Sequence, residues 1–124
     1  MVTCVGSIGN VALCDPSLAG FNVVRAVARV PLSDKVDRVF IANQLMTPEL
    51  QSFFSQETRT VTQPTLNIRQ IEEAPMIVPP LSLQKQFSKR VVVVRVLEAE
   101  QAASRRRLDD LFQSMLHRAF SGEL

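Results

Sequence analysis

The first residues of the chain have the spacing and composition of a β-hairpin. Residues 2–5 and 10–14 are rich in strand-forming side chains. The segment Gly6-Ser-Ile-Gly9 between them supplies residues suited to a tight turn. The pattern therefore predicts a hairpin over residues 2–14, with its tip at the two glycines.

Residues 21–30 predict a third strand, which ends at Pro31. Apolar and polar positions alternate along this segment, with a period of two. One face of the predicted strand is almost purely apolar. The other face carries Arg25 and Arg29.

The spacing becomes helical after Pro31 and predicts two short helices. Ser33 or Asp34 is expected to cap the first helix, and Thr47, followed by a proline, to cap the second. The expected apolar stripe of the first helix is Val36, Val39 and Phe40, with an extension over residues 43–46 left open. The expected buried face of the second helix is Leu50, Phe53 and Phe54. A polar loop over residues 58–65 follows, and residues 74–78 predict a short buried strand that ends at two prolines.

The last third of the chain predicts one long helix. Residues 82–120 contain no glycine and no proline, and Gly122 is suited to cap the C-terminal end. Such a helix is about 58 Å long. The alternative is a short buried strand over residues 91–96, where β-branched side chains are concentrated, but no turn residue flanks that run.

This predicted helix carries an apolar stripe that needs a second helix to cover it. A domain of about 80 residues cannot bury the whole stripe of so long a helix. The stripe is therefore predicted to be a subunit interface that pairs with a second copy or with a partner chain. Its residues are Phe87, Val91, Val94, Leu108, Phe112 and Met115.

Charge and cysteine content exclude only a few classes of protein. Residues 1–81 carry six Lys/Arg and seven Asp/Glu, a net charge of −1, whereas residues 82–124 carry eight and five, a net charge of +3. Composition alone does not indicate DNA binding. Cys4 and Cys14 lack the spacing and the nearby histidine of a metal site, and they are interpreted as two reduced, half-buried thiols of a cytoplasmic protein. No apolar run approaches the ~20 residues of a membrane span, and the N-terminus has no signal-peptide pattern.

No catalytic constellation is recognisable in the sequence. His117 has no Cys or Ser partner at a meaningful spacing, and the glycine pair near the N-terminus lacks the lysine of a phosphate-binding loop. We therefore expect a chain that is not an enzyme and that binds neither a metal nor a cofactor.

Several short motifs, taken in order, resemble the specificity subunits of type I restriction-modification systems. In that family a target recognition domain ends with a helix pair and a Gln-rich loop, and a short strand and a Pro-Pro-Leu step lead into a long spacer helix. The matching segments here are 42–51, 62–68, Pro75-Met-Ile-Val-Pro-Pro-Leu81 with Gln84, and the C-terminal 111–124. The chain departs from the family in two ways: it holds at most part of one recognition domain with one spacer helix, and Leu83 stands where the family often has an acid.

The resemblance implies an α+β fold and a place in a complex. Residues 1–80 would be the C-terminal part of a target recognition domain, and residues 81–124 the spacer helix, which forms a coiled coil. The implied partners are double-stranded DNA, a modification subunit that binds S-adenosylmethionine and methylates adenine, and a translocating restriction subunit. This chain would recognise the target DNA sequence, and its partners would supply the methyltransferase and endonuclease activities.

Candidate DNA-reading side chains lie on predicted loops and strand faces, where base edges can be reached. The strongest group is the polar loop with its flanking residues. The full set is Ser7, Asn10, Arg25, Arg29, Arg59, Thr60, Thr62, Gln63 and Asn67. The triple arginine at 105–107 has two interpretations, a phosphate contact or a solvated band on the helix, and the second is favoured because Asp109 and Asp110 offset the charge. The alternative function is a structural interaction fragment that reads no DNA by itself.

Overall fold

The computed structural model describes residues 1–58 and 65–123 and shows an α+β fold, as predicted. The strands are β1 (Val2–Thr3) and β2 (Val27–Ala28), and a 3₁₀ helix covers Pro16–Leu18. The α-helices are α1 (Arg38–Leu45), α2 (Pro48–Glu57), α3 (Ile68–Glu72) and α4 (Leu81–Phe120). The chain divides into two compact units, Met1–Ser88 and Lys89–Leu124. We call them the first unit and the helical unit.

The N-terminal segment folds back on itself over the predicted turn. Thr3 N–H donates to Asn10 O (2.9 Å), Gly9 N–H donates to Thr3 O (3.0 Å), and Val2 and Val11 form an isolated bridge. Gly6 and Gly9 both have positive φ, which glycine adopts without steric penalty. The returning arm, however, forms no strand of its own beyond that bridge.

The predicted strand over residues 21–30 is wrong except at β2. The two residues of β2 pair antiparallel with β1, so that Val2 lies opposite Ala28. Just before β2 the chain turns at Arg25 and Ala26, where Val27 N–H donates to Val24 O (3.0 Å). Alternation of side chains favours a strand only where a neighbouring strand offers hydrogen bonds, and β1 is only two residues long.

Helix α1 begins later than the sequence predicts, because Asp37 and not Ser33 or Asp34 is its N-cap. Asp37 Oδ1 accepts from the N–H groups of Val39 (2.9 Å) and Phe40 (3.0 Å). Residues 34 and 35 lie in a turn instead. Two N–H groups that no helical carbonyl can reach are satisfied by this carboxylate, which fixes the start of the helix.

The core of the first unit joins the sheet to α1, α2 and α3. The predicted buried face of α2 is confirmed at Leu50 and Phe54, which are 3% and 1% exposed, and Phe53 is half-buried. Helix α2 starts after Thr47 as predicted. The main buried apolar residues are Val2, Cys4, Ala28, Ile41, Leu45, Leu50, Phe54, Leu66 and Ile71.

The predicted buried strand over residues 74–78 is wrong. The segment has no strand assignment, and Ile77 and Val78 are 73% and 59% exposed. Pro75, Pro79 and Pro80 lack the N–H group that a strand would donate. Only Ala74 and Met76 of this segment pack against the core.

Helix α4 is continuous for 40 residues, which confirms the predicted long helix and makes the strand alternative over residues 91–96 wrong. At its end Glu123 N–H donates to Arg118 O (2.9 Å), and Gly122 has a φ of 78°. This six-to-one bond around a left-handed glycine is the usual Schellman termination. The predicted C-terminal cap is therefore confirmed.

Candidate nucleic-acid interface

A groove of about 720 Å³ in the first unit brings together two of the predicted DNA-reading residues. Arg25, which lies in the turn before β2, lines the groove. Asn67, which is the N-cap of α3, lines it as well. Thr65 also lines the groove. The remaining lining residues are Cys4, Val5, Val23, Val24, Val27, Ala28, Leu66 and Ile68. A mostly apolar concave surface with a few polar side chains is a usual form of binding site.

Backbone hydrogen bonds fix both sides of this groove to the N-terminal segment. Cys4 N–H donates to Ala26 O (2.7 Å), which holds the turn that carries Arg25. Leu66 N–H donates to Cys4 O (2.8 Å), and Val5 bridges Thr65. The exposed polar side chains of the groove are thus mounted on a hydrogen-bonded backbone.

Asn67 has a structural role besides its place in the groove. It is the N-cap of α3, and its backbone N–H donates to Gln70 Oε1 (2.8 Å), which is one half of a capping box. Gln70 in turn donates through Nε2 to Glu57 O (3.1 Å). A substitution of Asn67 therefore tests both helix capping and DNA reading unless the replacement can also cap a helix.

Ser7 and Asn10 lie at the N-terminal turn, and hydrogen bonds within the turn involve both. Asn10 Nδ2 donates to Ser7 O (3.3 Å), and Asn10 N–H donates to Thr3 Oγ1 (3.0 Å). Thr3 Oγ1 itself donates to Ser7 O. Neither residue lines the groove.

Arg29 lies apart from Arg25, contrary to the expectation that both share one strand face. It lines a separate cavity of about 550 Å³ together with Arg38, Asp15 and an apolar segment around Phe21. The physical reason is the turn at Arg25, which ends the alternation between the two arginines. Arg59, Thr60, Thr62 and Gln63 lie outside the described residues.

A buried polar cluster that the sequence reasoning missed joins the first turns of α4 to the start of α1. Gln84 is fully buried; its Oε1 accepts from Asp37 N–H (2.8 Å), and its Nε2 donates to Pro79 O (2.7 Å). Ser88 Oγ donates to Asp37 Oδ1 (2.5 Å). The signal available in the sequence was a Gln and a Ser four residues apart, hence on one face of a helix, directly after the Pro-Pro-Leu step.

The hydrogen bonds in this cluster keep Asp37 ionised. Partial burial acts to raise the pKa of Asp37, but the hydrogen bonds from Ser88, Phe40 and Val39, together with the charge of Lys85, outweigh burial and lower the pKa. A carboxylate that accepts several hydrogen bonds is stabilised in its charged form. The cluster is thus a satisfied polar junction within the first unit.

The predicted interface stripe is exposed on α4 for most of its length. Val94, Leu108, Phe112 and Met115 are 52–63% exposed, Phe87 is 41% exposed, and Val91 is half-buried. Phe87 also packs edge-on against Phe40, with ring centroids 5.5 Å apart. Other exposed apolar side chains of the helix are Val92, Val93, Val96, Leu97, Leu111 and Phe120.

Two curated relatives align with this chain over most or all of its length. The chain is 30% identical over 129 aligned residues to the type I restriction enzyme EcoBI specificity subunit of Escherichia coli, a match that covers 100% of this chain and 27% of that subunit. It is also 30% identical over 117 residues to the EcoDI specificity subunit of the same organism, covering 90% of this chain and 26% of that subunit. No protein-family model matches the chain, and no solved structure matches it significantly.

These matches confirm the resemblance that the motifs indicate. Over its whole length the chain is homologous to a part of type I restriction enzyme specificity subunits, and it spans about a quarter of the length of the curated relatives that it matches. The relatives are named as specificity subunits, which supports a specificity role for this chain. Within the described residues, no helix is both long and apolar enough to cross a membrane.

Proposed function

We propose that this chain is a DNA sequence-specificity component of a type I restriction-modification complex. In that role it directs partner methyltransferase and endonuclease subunits to a target sequence in double-stranded DNA. The observation that carries the proposal is the homology of the entire chain to specificity subunits. We assign residues 1–80 to part of a target recognition domain and residues 81–124 to the spacer helix, and the complex acts in the cytoplasm.

The groove with Arg25 and Asn67 is the surface that we assign to DNA reading. An asparagine or glutamine amide forms paired hydrogen bonds with adenine, and an arginine does so with guanine, in the major groove. Thr65 of the groove directly follows residues 59–64 in the sequence, which include Arg59 and Gln63. The groove residues and this polar segment are therefore close in sequence.

The exposed stripe of α4 is the surface that we assign to assembly. Apolar side chains that are half exposed over many turns are unfavourable in water, and a second helix would bury them. A modification subunit, a restriction subunit and a second copy of the chain are the partners that this assignment allows. The methyl transfer and the DNA cleavage are assigned to the first two of these partners.

Substitution of Gln63 and Asn67 tests the reading surface. In the complex assembled with a modification subunit, Gln63→Ala with Asn67→Ser should reduce discrimination between target and non-target DNA. Each lost base contact is expected to reduce discrimination by about 1–3 kcal/mol. Serine keeps the capping ability of residue 67, so a loss of discrimination reports on DNA contacts rather than on α3. Competition binding and methylation of target against scrambled DNA are the measurements.

Arginine substitutions provide the matched comparison. Arg25→Ala removes a side chain of the groove, whereas Arg29→Ala removes an exposed arginine from the separate cavity. A base contact changes sequence preference, and a phosphate contact lowers affinity for all sequences and reduces its salt dependence. Loss of preference with Arg29→Ala but not with Arg25→Ala or the Gln63 and Asn67 variants would assign the reading surface to the other cavity.

A structural interaction role is the second candidate, and the charge distribution favours it. Residues 1–81 carry a net charge of −1, so this part of the chain has no general attraction to phosphates. In this case α4 pairs with a partner helix and the first unit reads nothing. Sequence preference that is unaffected by all the groove and loop substitutions would support this candidate.

A further inference from the structure

The cavity that contains Arg29 is lined largely by a segment of the chain that is exposed along its whole length. Every residue from 12 to 25 is exposed, although several of them are large and apolar. Phe21 and Val24 are 74% and 70% exposed, and Leu18 and Val23 are each 45% exposed. These four side chains all line the cavity of about 550 Å³. Exposed apolar side chains that are gathered in one place are typical of a binding surface.

Three charged side chains line the same cavity, and their charges do not cancel. Asp15 and Arg38 carry opposite charges, and Asp15 Oδ1 accepts from Ser17 N–H (2.9 Å). Arg29 is exposed, and none of the described residues forms an ion pair with it. With two arginines and one aspartate, the side chains of the cavity have a net charge of +1, whereas residues 1–81 together carry −1. The cavity is therefore a local site of positive charge beside apolar side chains.

This cavity is distinct from the groove that we assign to DNA reading. Arg25 and Asn67 line the groove and are absent from the lining of the cavity. Only Val23, Val24 and Val27 line both. The charged side chains of the two surfaces are different, so a substitution can change one surface and leave the charges of the other intact.

We infer that this cavity binds a small amphipathic monoanion, a carboxylate on an apolar chain, whose charge pairs with Arg29 and whose chain packs against Phe21 and Val24. A cavity of about 550 Å³ lies within the size range of small-molecule sites, which are mostly apolar and contain a few polar groups that orient the ligand. A guanidinium group can form two parallel hydrogen bonds with a carboxylate. The inference goes beyond the proposed function and does not depend on it.

The charges and the apolar lining together select this class of ligand over others. A phosphate monoester carries a charge of about −1.5 to −2, which exceeds the net charge of the cavity side chains and is repelled by Asp15. A neutral apolar molecule leaves Arg29 without a partner. The sugar-phosphate backbone of DNA offers no apolar chain to cover Leu18, Phe21 and Val24. A monoanion with an apolar chain matches both the charge and the apolar surface.

Octanoate is the probe that tests the inference, and octanol is its neutral counterpart. In methyl NMR titrations of the full chain, octanoate should shift the signals of Leu18, Val23 and Val24 and should bind more tightly than octanol. Hexanoate should bind more weakly than octanoate, because each buried methylene tightens binding by up to about fourfold. Equal affinities for octanoate and octanol would overturn the pairing with Arg29. Methyl signals that do not move at millimolar octanoate would overturn the site itself.

Three variants separate the two halves of the ligand contact. Arg29→Gln should weaken octanoate binding about tenfold or more and leave octanol binding unchanged, because only octanoate has a charge to pair. Phe21→Ser should weaken the binding of both probes, since both pack an alkyl chain against the ring. Lys35→Gln removes the same charge from an exposed residue outside the cavity and should leave the octanoate affinity within about twofold of the wild type. Equal weakening by Lys35→Gln and Arg29→Gln would mean a general charge effect and no specific pairing.

Two further measurements test the other possible binding surface and the other possible ligand. Octanoate that shifts the methyl signals of Val94 and Leu108 instead would assign binding to the stripe of α4 and overturn the cavity as the site. Octanoate should keep its affinity when a DNA duplex of scrambled sequence is present. If the duplex displaces octanoate and Arg29→Gln weakens the binding of every DNA sequence alike, Arg29 contacts phosphates and the cavity belongs to the DNA surface. Either failure leaves the sequence preference of the groove, which is measured separately, untouched.

Discussion

The first unit holds a buried apolar core and a buried amide, whereas no described residue of the helical unit is buried. Gln84 is completely buried in the first unit because both atoms of its amide have hydrogen-bond partners. In the helical unit Phe112 and Leu108 are 58% and 63% exposed. Burial of a polar group is tolerated when its bonds are made, and exposure of apolar stripes is typical of interaction surfaces. The contrast suggests that the first unit is stabilised from within and the helical unit by association.

The contrast also appears in how the helices are held. Helices α1, α2 and α3 have 8, 10 and 5 residues, and each packs buried residues into the core. Side-chain hydrogen bonds also close the starts of α1, at Asp37, and of α3, at Gln70, whereas Thr47 makes no such bond to α2. Isolated helices of that length are marginal in water. Helix α4 has 40 residues and only its beginning contributes buried side chains, Gln84 and Ser88. The stability of α4 therefore depends more on its length and on its helix-forming residues than on a buried core.

The largest expected effect comes from removing the most buried aromatic side chain of the first unit. Phe54 is 1% exposed and packs within the main core cluster. Phe54→Ala should lower the free energy of unfolding of the first unit by about 3–5 kcal/mol, because it removes apolar contacts and leaves a cavity. Urea denaturation followed by circular dichroism measures the change. Phe120→Ala, at an 89% exposed site of the helical unit, is the control and should have little effect; equal losses for the two variants would contradict the contrast.

A smaller effect, with a defined pH dependence, is expected at Asp37. Asp37→Ala removes the cap of α1 and leaves Ser88 without its acceptor, and should cost about 1–3 kcal/mol. The pKa of Asp37 is lowered from its ordinary value of 3.8 in the folded chain. The stabilisation by the ionised carboxylate is therefore fully present above pH 3.8 and is lost as the pH falls through the lower, folded-state pKa.

The variant Asp37→Asn isolates this pH dependence. Asparagine also caps helices well but has no charge to titrate. The difference in unfolding free energy between the wild type and Asp37→Asn should therefore shrink as the pH is lowered from 6 to about 3. A difference that is constant over this range would mean that the ionised carboxylate adds nothing to the cluster.

The elements predicted correctly from the sequence are those whose signals are local. A stretch without Gly or Pro and a capping glycine suffice to place α4, and a proline after Thr47 places α2. The strands over residues 21–30 and 74–78 were wrong because a strand requires a partner, which no local pattern supplies. Ser33, Asp34 and Asp37 all have side chains that can cap α1, and the additional contacts of Asp37 with Gln84 and Ser88 come from about 50 residues away along the chain, where no local pattern reveals them.

Local sequence patterns are equally limited in what they predict about the candidate site. Arg25 and Asn67 were named from sequence as separate polar residues, and their common groove depends on bonds that join Cys4 to both Ala26 and Leu66. Arg25 and Arg29 share a face only in an extended strand, and the turn at residues 25 and 26 prevents that arrangement. Side-chain chemistry was therefore predictable, whereas the arrangement of those side chains in space was not.

The smallest expected effect on unfolding, and the sharpest test of the contrast, comes from two charges in the predicted interface stripe of α4. Val94→Asp with Leu108→Asp should convert an associating chain into a monomer in sedimentation analysis, because each aspartate places a charge in the apolar contact. At low concentration the unfolding of the first unit should be unchanged within about 0.5 kcal/mol, since both side chains are already more than half exposed. Val93→Asp with Ala103→Asp adds the same charges outside the stripe and should leave association intact. If the wild type is already a monomer at high micromolar concentration, the stripe does not pair with a second copy, and a modification or restriction subunit remains as the partner that would cover it.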